Sequence, residues 1–566
     1  MQTRIRILCF LATSLLLGTA ASSANAEVVA GTVVSVDPGS NRMVVKLRSE
    51  ESNQVLRLSR DTRVLIDGKQ GLVSRVKPGQ SVYAFVSESY VTRLNVKSAI
   101  ESPAESDSKP VTSASKVESP KSKPSVSEPM PSEDSPASDT RTASTDTDSR
   151  PSSRSSRSRR SMLKSDEPTL AAASSSGDWN QFRGPNRDNL SPETGLLTSW
   201  PGQGPPQAWV ARGIGEGYSA VSISNGRVYT MGNVDDEEKV LCLDLASGNR
   251  IWSATNGSPY REGQGNGPRG TPSVVDGRVY ALGANGDLSC LDAQTGQPHW
   301  RKNILREFGG SNITWGISES VLVDGDKVIC TPGGQRATMV ALHRETGNVV
   351  WAAAVPTSPQ ASYSSPIAIE VGGVRQYVNY THAGVVGVRA SDGRVMWGQR
   401  ESANGTANCS TPVFYEGSVF TASGYDTGGA LFQLVSRGGQ TVSQVAYSTR
   451  EMKNHHGGMV VVNGYLYGSS DPGILKCIEL RSNRVVWQNR SVGKGSVSYA
   501  DGHLYVRSEQ GPVALVVATP DGYEEKGRFD QPQRTGRPSW SHPVIADGKL
   551  FLRDMDNLLA YDIRAN

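Results

Sequence analysis

Cysteine is scarce, with six in 566 residues. The five beyond residue 26 are Cys242, Cys290, Cys330, Cys409 and Cys477. They form no C-x-x-C and no adjacent pair, which excludes a dense disulfide framework and a thiol redox motif. Cys242, Cys290 and Cys477 each precede a Leu-Asp, Leu-Asp or Ile-Glu pair. They read as one repeat position filled by a small buried residue, and free thiols are expected. Excess charge of one sign is lacking too. There are 59 basic and 55 acidic residues, a formal net charge of +4, which excludes a strongly basic nucleic-acid binder. No segment reaches 18 consecutive apolar residues, so no membrane-spanning helix is expected. G-x-S-x-G, H-E-x-x-H and Walker A patterns are absent. Gly265-Gln-Gly267-Pro-Arg-Gly270 fits G-x-G-x-x-G. It runs into a strand pattern with Pro268 inside it, so no helix N-terminus is available for a pyrophosphate.

Hydrophobic residues make up only 36% of the chain, so part of it is not expected to build a core. Glycine and proline are abundant, which favours turns and strands over long helices. Residues 1–26 have the form of a signal peptide. Arg4 and Arg6 precede an apolar run, and Ala24-Asn25-Ala26 supplies the small residues before cleavage. Residues 27–99 alternate short β-branched strands with turn signals such as Asp37-Pro38-Gly39 and Pro78-Gly79. About six strands in a small OB-like or SH3-like barrel are expected. Residues 100–176 are rich in Ser and Pro and contain no aromatic residue. A disordered linker is expected there, because so little apolar surface cannot offset chain entropy.

From residue 177 a repeat begins. A two-residue turn ending in glycine recurs at Gly226, Gly277, Gly325, Gly373, Gly417, Gly464, Gly502 and Gly548. The mean spacing is about 46 residues. Most units close on a second signature, in full at Asp244-Leu-Ala-Ser-Gly248-Asn-Arg-Ile-Trp252 and Asp292-Ala-Gln-Thr-Gly296-Gln-Pro-His-Trp300. His343 to Trp351 and Arg389 to Trp397 keep the spacing, and Asn483 stands for the glycine before Trp487. Four-stranded units at this period predict an eight-bladed β-propeller over 177–566, with seven blades as the alternative if the short seventh unit is an insertion. Ala208-Trp209-Val210 is expected to supply the outer strand of the last blade and close the ring.

These units resemble PQQ-type propeller repeats, shared by quinoprotein alcohol dehydrogenases and the outer-membrane assembly lipoprotein BamB. Gln181-Phe-Arg-Gly-Pro185 and Asn454-His-His-Gly-Gly458 further resemble secreted PQQ-like propeller proteins of unassigned activity. The dehydrogenases hold pyrroloquinoline quinone (PQQ) between a Trp and a disulfide of adjacent cysteines, beside Ca²⁺ and a catalytic Asp. This chain has no adjacent cysteines, and the motif matches no Asp to that base.

Residues just before each innermost strand should ring one mouth of the propeller. Arg269, Trp315, Tyr363, Asn408, His455, Lys494 and Trp540 occupy such positions, with Tyr218, His456 and His542. Together they suit a planar anionic ligand, with Arg269 and Lys494 meeting its charge. Adjacent residues on a strand point to opposite faces, so His455 and His456 are not expected to share a metal ion. No metal site is assigned, and Asp554-Met-Asp556-Asn557 reads as a hairpin turn. The expected function is an exported, monomeric binding or scaffold protein of the cell envelope, periplasmic or extracellular. Its partner would be a protein or an envelope polymer on the propeller rim. The alternative is a divergent PQQ-dependent alcohol dehydrogenase with PQQ and calcium as cofactors.

Overall fold

A computed structural model describes residues 27–37, 42–47, 52–66, 69–87, 90–100, 178–356 and 360–565. The signal-peptide segment lies outside them, as does the expected linker apart from Ile100. The chain divides into two compact units, residues 1–155 and 156–566.

In the first unit, β1 (Glu27–Asp37), β2 (Arg42–Leu47) and β3 (Asn53–Ile66) pair antiparallel in succession. A two-residue strand, β4 (Lys69–Gln70), folds back on β3. β5 (Gln80–Ser87) pairs with β1, and β6 (Tyr90–Ile100) joins β5 to β3, running parallel to β3. The sheet therefore has no free outer strand among its five long members, and alternate residues such as Val33, Met43, Val45, Leu56, Val82 and Leu94 fill its interior.

In the second unit, β7 (Leu190–Ser191) and β8 (Gln207–Ala211) precede the repeats. Eight antiparallel sheets follow, covering 222–257, 273–303, 322–353, 367–399, 413–449, 459–489, 495–530 and 544–562. The seventh gains β7, and the eighth takes β8 as its outer strand. Nine-residue recurrences aside, the glycine turns explain why these segments form hairpins. In seven sheets two residues of positive φ link the first two strands, as at Asn225 (φ 51°) and Gly226 (φ 71°). That conformation matches strand twist and costs glycine no Cβ clash.

Each sheet packs on the next through its own apolar cluster. Leu322, Ile329 and Met339 of the third meet Tyr377 and Val388 of the fourth. Val228 and Leu241 of the first meet Phe551 and Leu558 of the eighth, so the ring is closed. This is a β-propeller, in which the sheets are blades.

The signature residues build the blade interfaces. Trp252 lies opposite Cys242, Trp300 opposite Cys290 and Trp487 opposite Cys477. The small thiol leaves room for the indole, and all five described cysteines are free. Five of the six signature indoles then reach the following blade, whereas Trp397 donates to Gln376 Oε1 of its own blade. Trp209 Nε1 donates to Leu245 O (3.1 Å), Trp252 to Ala293 O (3.2 Å), Trp300 to Arg344 O (2.9 Å) and Trp351 to Ala390 O (3.0 Å). The signature glycine of that next blade lies on the indole face. A Cβ on Gly347 would sit 2.8 Å from Trp300, and one on Gly393 2.5 Å from Trp351.

Candidate functional site at the propeller axis

The segments entering the innermost strands converge on one cavity, partly open to solvent. Tyr218, Arg269, Trp315, Tyr363, His455 and Trp540 line it, with Phe182, Cys409, Tyr425, His456 and His542. Of the seven mouth residues read from sequence, five face this space. Asn408 does not. It is fully buried, and its Nδ2 donates to Thr381 O (3.0 Å) and His382 O (3.2 Å), tying two loops together. Lys494 stands behind the wall, its Nζ 2.6 Å from His455 Nδ1 and 3.2 Å from Asp471 Oδ1.

The two cations are therefore engaged within the protein. Arg269 pairs with Glu262 at 3.2 Å and donates to the carbonyls of Gly265 (2.8 Å) and Gly267. Its guanidinium also lies 4.7 Å from the Tyr260 ring centroid and 5.6 Å from that of Tyr218. Burial lowers its pKa, and the neighbouring Tyr260 and Glu262 hold it up in part. Its role here is to anchor the loop before the second blade. The expectation that Arg269 and Lys494 meet a ligand's negative charge does not describe this arrangement.

His455 and His456 also differ from expectation. They lie in a bend rather than on a strand. Asn454 Oδ1 accepts from Gly457 N (2.9 Å), and Gly457 has φ +76°, which folds the pair over. The two rings consequently stack, 4.2 Å apart and 8° from parallel, and both line the cavity. Trp540 continues the stack on His456 at 4.8 Å and 20°, and Tyr218 meets Trp540 at 4.6 Å. Tyr425 covers the other end, 4.4 Å from His455.

Each imidazole is oriented by a group behind it. His456 Nδ1 touches Glu509, a carboxylate that only accepts, so that nitrogen carries the proton. His455 Nδ1 faces the Lys494 ammonium at 2.6 Å and Asp471 at 3.3 Å. The ammonium only donates, so the His455 proton resides on Nε2. Burial, then His456, pulls His455 down to about 4. Burial alone would raise Asp471 and Glu509, but the histidines and Lys494 beside them outweigh it and leave both lowered. His542 Nε2 lies 3.2 Å from His456 O, and burial followed by Arg183 pulls its pKa down to about 3. Burial pushes the Cys409 thiol up to about 12, so it stays protonated and unreactive.

The floor was missed by sequence reasoning. Residues 179–191 cross the inner strands of five blades. Trp179 pairs with Ile223, Asn180 O accepts from Val274 N, and Gln181 Oε1 accepts from Val323 N. Arg183 donates to Gly457 O (3.2 Å) and Met459 O (2.7 Å), and Asn189 Nδ2 to Val497 O (2.5 Å). Phe182 thereby seals the bottom of the cavity against His542, with ring centroids 5.2 Å apart. The available signal was Gln181-Phe-Arg-Gly-Pro185 itself, an arginine-bearing turn outside the repeat.

The residues present do not fit a calcium-held quinone. No Asp or Glu is among the described residues lining the cavity, and its cysteine stands alone. Hard cations require oxygen ligands, chiefly carboxylates.

A profile of the family described as outer membrane protein assembly factor BamB matches residues 236–489 and 433–564, more than half of the chain. The chain belongs to this family of PQQ-like propellers. BamB of Yersinia pestis is 24% identical over 357 residues, covering 54% of this chain and 86% of its own. BamB of Burkholderia pseudomallei is 24% identical over 260 residues, 44% of this chain and 62% of that one. Among solved structures, BamB from Moraxella catarrhalis gives a TM-score of 0.43 at 14% identity, covering 59% of this chain and 96% of its own. Quinohemoprotein alcohol dehydrogenase from Comamonas testosteroni gives 0.49 at 13% identity, covering 70% and 82%.

Proposed function

We propose that the chain is an exported binding and scaffold protein of the cell envelope whose propeller rim docks a protein partner. One observation carries the reading. The exposed large aliphatic residues described in the propeller are Ile251, Val349, Val350, Val435, Val442 and Val445, and all lie on the outer strands or the hairpin of the fifth blade. That hairpin, Gly428–Arg437 with Gln440–Thr449, has ten-residue strands where the neighbouring outer pairs have five or six. It is braced rather than loose. Gln376 Nε2 donates to Thr441 Oγ1 (2.6 Å) and Gln399 Nε2 to Ser443 Oγ (3.0 Å), both from the fourth blade. Near its tip Val435 and Val442 lie directly opposite one another, 39% and 37% exposed. Rigid apolar pairs of this kind favour docking, because little entropy is lost on contact.

The relatives' names point to outer-membrane protein assembly, and the partner class we propose follows from them. The test is complementation. In a strain lacking the protein, the wild-type chain restores the level of assembled outer-membrane barrels, and Val435→Asp with Val442→Asp does not, at equal abundance and thermal midpoint. Full complementation by the variant overturns rim docking. No Asp or Glu is among the described residues that line the cavity, so nothing there supports the dehydrogenase alternative. Incubation with PQQ and Ca²⁺ is expected to give neither bound-cofactor absorbance nor dye-linked alcohol oxidation.

A further inference from the structure

We propose that the axial cavity binds an uncharged heteroaromatic ring that presents a hydrogen-bond donor and an acceptor on one edge. The site is separate from the rim and does not depend on the docking reading.

Ring nitrogens of the cavity wall are left without a partner among the described residues. Trp540 Nε1 and His542 Nδ1 are buried and unpaired. His455 Nε2 and His456 Nε2 are the nitrogens left over once Lys494 and Glu509 have taken the other side of each ring. Their roles follow from the groups behind them. Trp540 and His455 offer N–H donors. His456 offers a lone pair, because Glu509 fixes its proton on Nδ1. His542 offers a second lone pair, because its Nε2 proton points to the His456 carbonyl at 3.2 Å. His542 is only 7% exposed, so its unpaired nitrogen is costly unless a ligand meets it. Donors and acceptors thus alternate through the stack of His455, His456 and Trp540.

Five further aromatic rings line the wall, those of Phe182, Tyr218, Trp315, Tyr363 and Tyr425, with smaller polar side chains such as Thr271, Ser318 and Ser365 between them. A flat ring can lie against these aromatic faces while one polar edge meets the histidine and tryptophan nitrogens. Charge decides the rest. Arg269 and Lys494 are bound to Glu262 and Asp471, and Asp471 and Glu509 stand directly behind the two histidines. An anion would therefore approach two carboxylates without a free cation to meet it. The cavity favours a neutral ring over an anionic quinone.

Benzimidazole is the probe, since it carries one donor and one acceptor on a single edge and is neutral at pH 7.5. Indole keeps the donor alone, and 5-carboxybenzimidazole adds an anion. Calorimetry and tryptophan fluorescence on the full chain are expected to show benzimidazole binding at least about tenfold more tightly than either, the equivalent of one well-made neutral hydrogen bond. Trp540→Phe removes a donor that holds nothing in the protein. It is expected to cut benzimidazole affinity about fivefold or more with the thermal midpoint unchanged. His542→Phe is expected to erase the preference over indole. Tighter binding of 5-carboxybenzimidazole or of PQQ with Ca²⁺ overturns the proposal. So does absence of benzimidazole binding, or binding indifferent to Trp540→Phe. Rim variants leave these affinities unchanged, so failure here and failure of the docking reading are separately visible.

Discussion

At the scale of single residues, the signature works as an interlock between a Trp and the next blade's glycine. Trp300 lies opposite Cys290 of its own blade and donates to Arg344 O of the next, and Gly347 lies against its face. Trp300→Ala is expected to cost about 3 kcal/mol, the lower end for a large aromatic truncation because the ring is only partly buried. Denaturant titration reads this directly, and a loss below about 1 kcal/mol would show that the indole does not weld the blades. Gly347→Ala and Gly325→Ala both strain a residue of positive φ, 69° and 57°. Only Gly347 has an indole within reach of a new Cβ, at 2.8 Å, whereas Gly325 opens on empty space. The first should therefore destabilise more than the second, and equal losses would mean that backbone strain alone matters. Acidity acts at the same scale. Burial, only partly offset by hydrogen bonds, pushes Glu238 up to about 7 and Glu319 up to about 8 from 4.5. Between these values the folded chain holds protons that the unfolded chain has released, so stability falls as pH rises from about 4.5 to 8. His455 and His542, held near 4 and 3, act oppositely. The unfolded chain then binds more protons below about 6.5, and stability falls as pH drops from there. Glu319→Gln is expected to flatten the alkaline fall in thermal midpoint without altering the acidic one.

At the scale of elements, the irregular blades show what a repeat signature can and cannot reveal. The fifth blade lacks the signature Trp. Tyr447 stands opposite Leu431 in its place and donates to Leu480 O (2.6 Å), the same reach into the next blade that the indoles make. The seventh has Gly527 at that position, opposite Leu515. Trp200, from before the repeats, fills the gap, and a Cβ on Gly527 would lie 2.6 Å from it. The hairpin glycines and the Trp spacing are local, which is why sheets, blade order and the closing strand around Trp209 were legible. Trp200 supplies a ring across some 300 residues of chain, and no local pattern carries that. The cavity was half legible for a related reason. Position before an inner strand located Arg269, Trp315, Tyr363, His455 and Trp540, but not which side chains were already engaged. Lys494 and Asn408 turned out to hold other residues. Strand alternation does not apply to His455 and His456, because Asn454 and Gly457 on either side fold them into a bend. The floor segment is the element whose removal should matter most. Arg183 is fully enclosed and gives four hydrogen bonds, to the carbonyls of Arg187, Asp188, Gly457 and Met459. Arg183→Met would leave buried carbonyls unpaired at about 1–3 kcal/mol each. A fall of at least about 3 kcal/mol is expected on chemical unfolding, and the cavity should lose its Phe182 floor with it. An unchanged midpoint would show that the segment merely lies on the propeller.

At the scale of the molecule, the decisive property is closure. An open array of repeats exposes two unpaired ends, and its stability is a sum over units and their contacts. This ring has none. β8, from residues 207–211, completes the eighth blade beside Asn557–Asp562, so the two ends of the propeller sequence share one sheet. Leu196 bridges to Arg564, and Leu197 N donates to Ile563 O (2.7 Å), which ties the same ends a second time. The segment also seats Trp209 on Gly248 of the first blade and Trp200 on Phe529 of the seventh. Removing it would therefore not cost one blade. It would strip the outer strand of the eighth, the ring that fills the seventh and the floor of the axis together. A chain trimmed to 178–566 is expected to unfold in a single transition at the midpoint of the propeller in the whole protein. A chain trimmed to 212–566 keeps every repeat turn and five of the six signature Trp residues, yet should fail to form a stable monomer, with light scattering reporting association through the opened eighth blade. Equal midpoints for the two would show that blade-to-blade packing holds the ring without its closing strand.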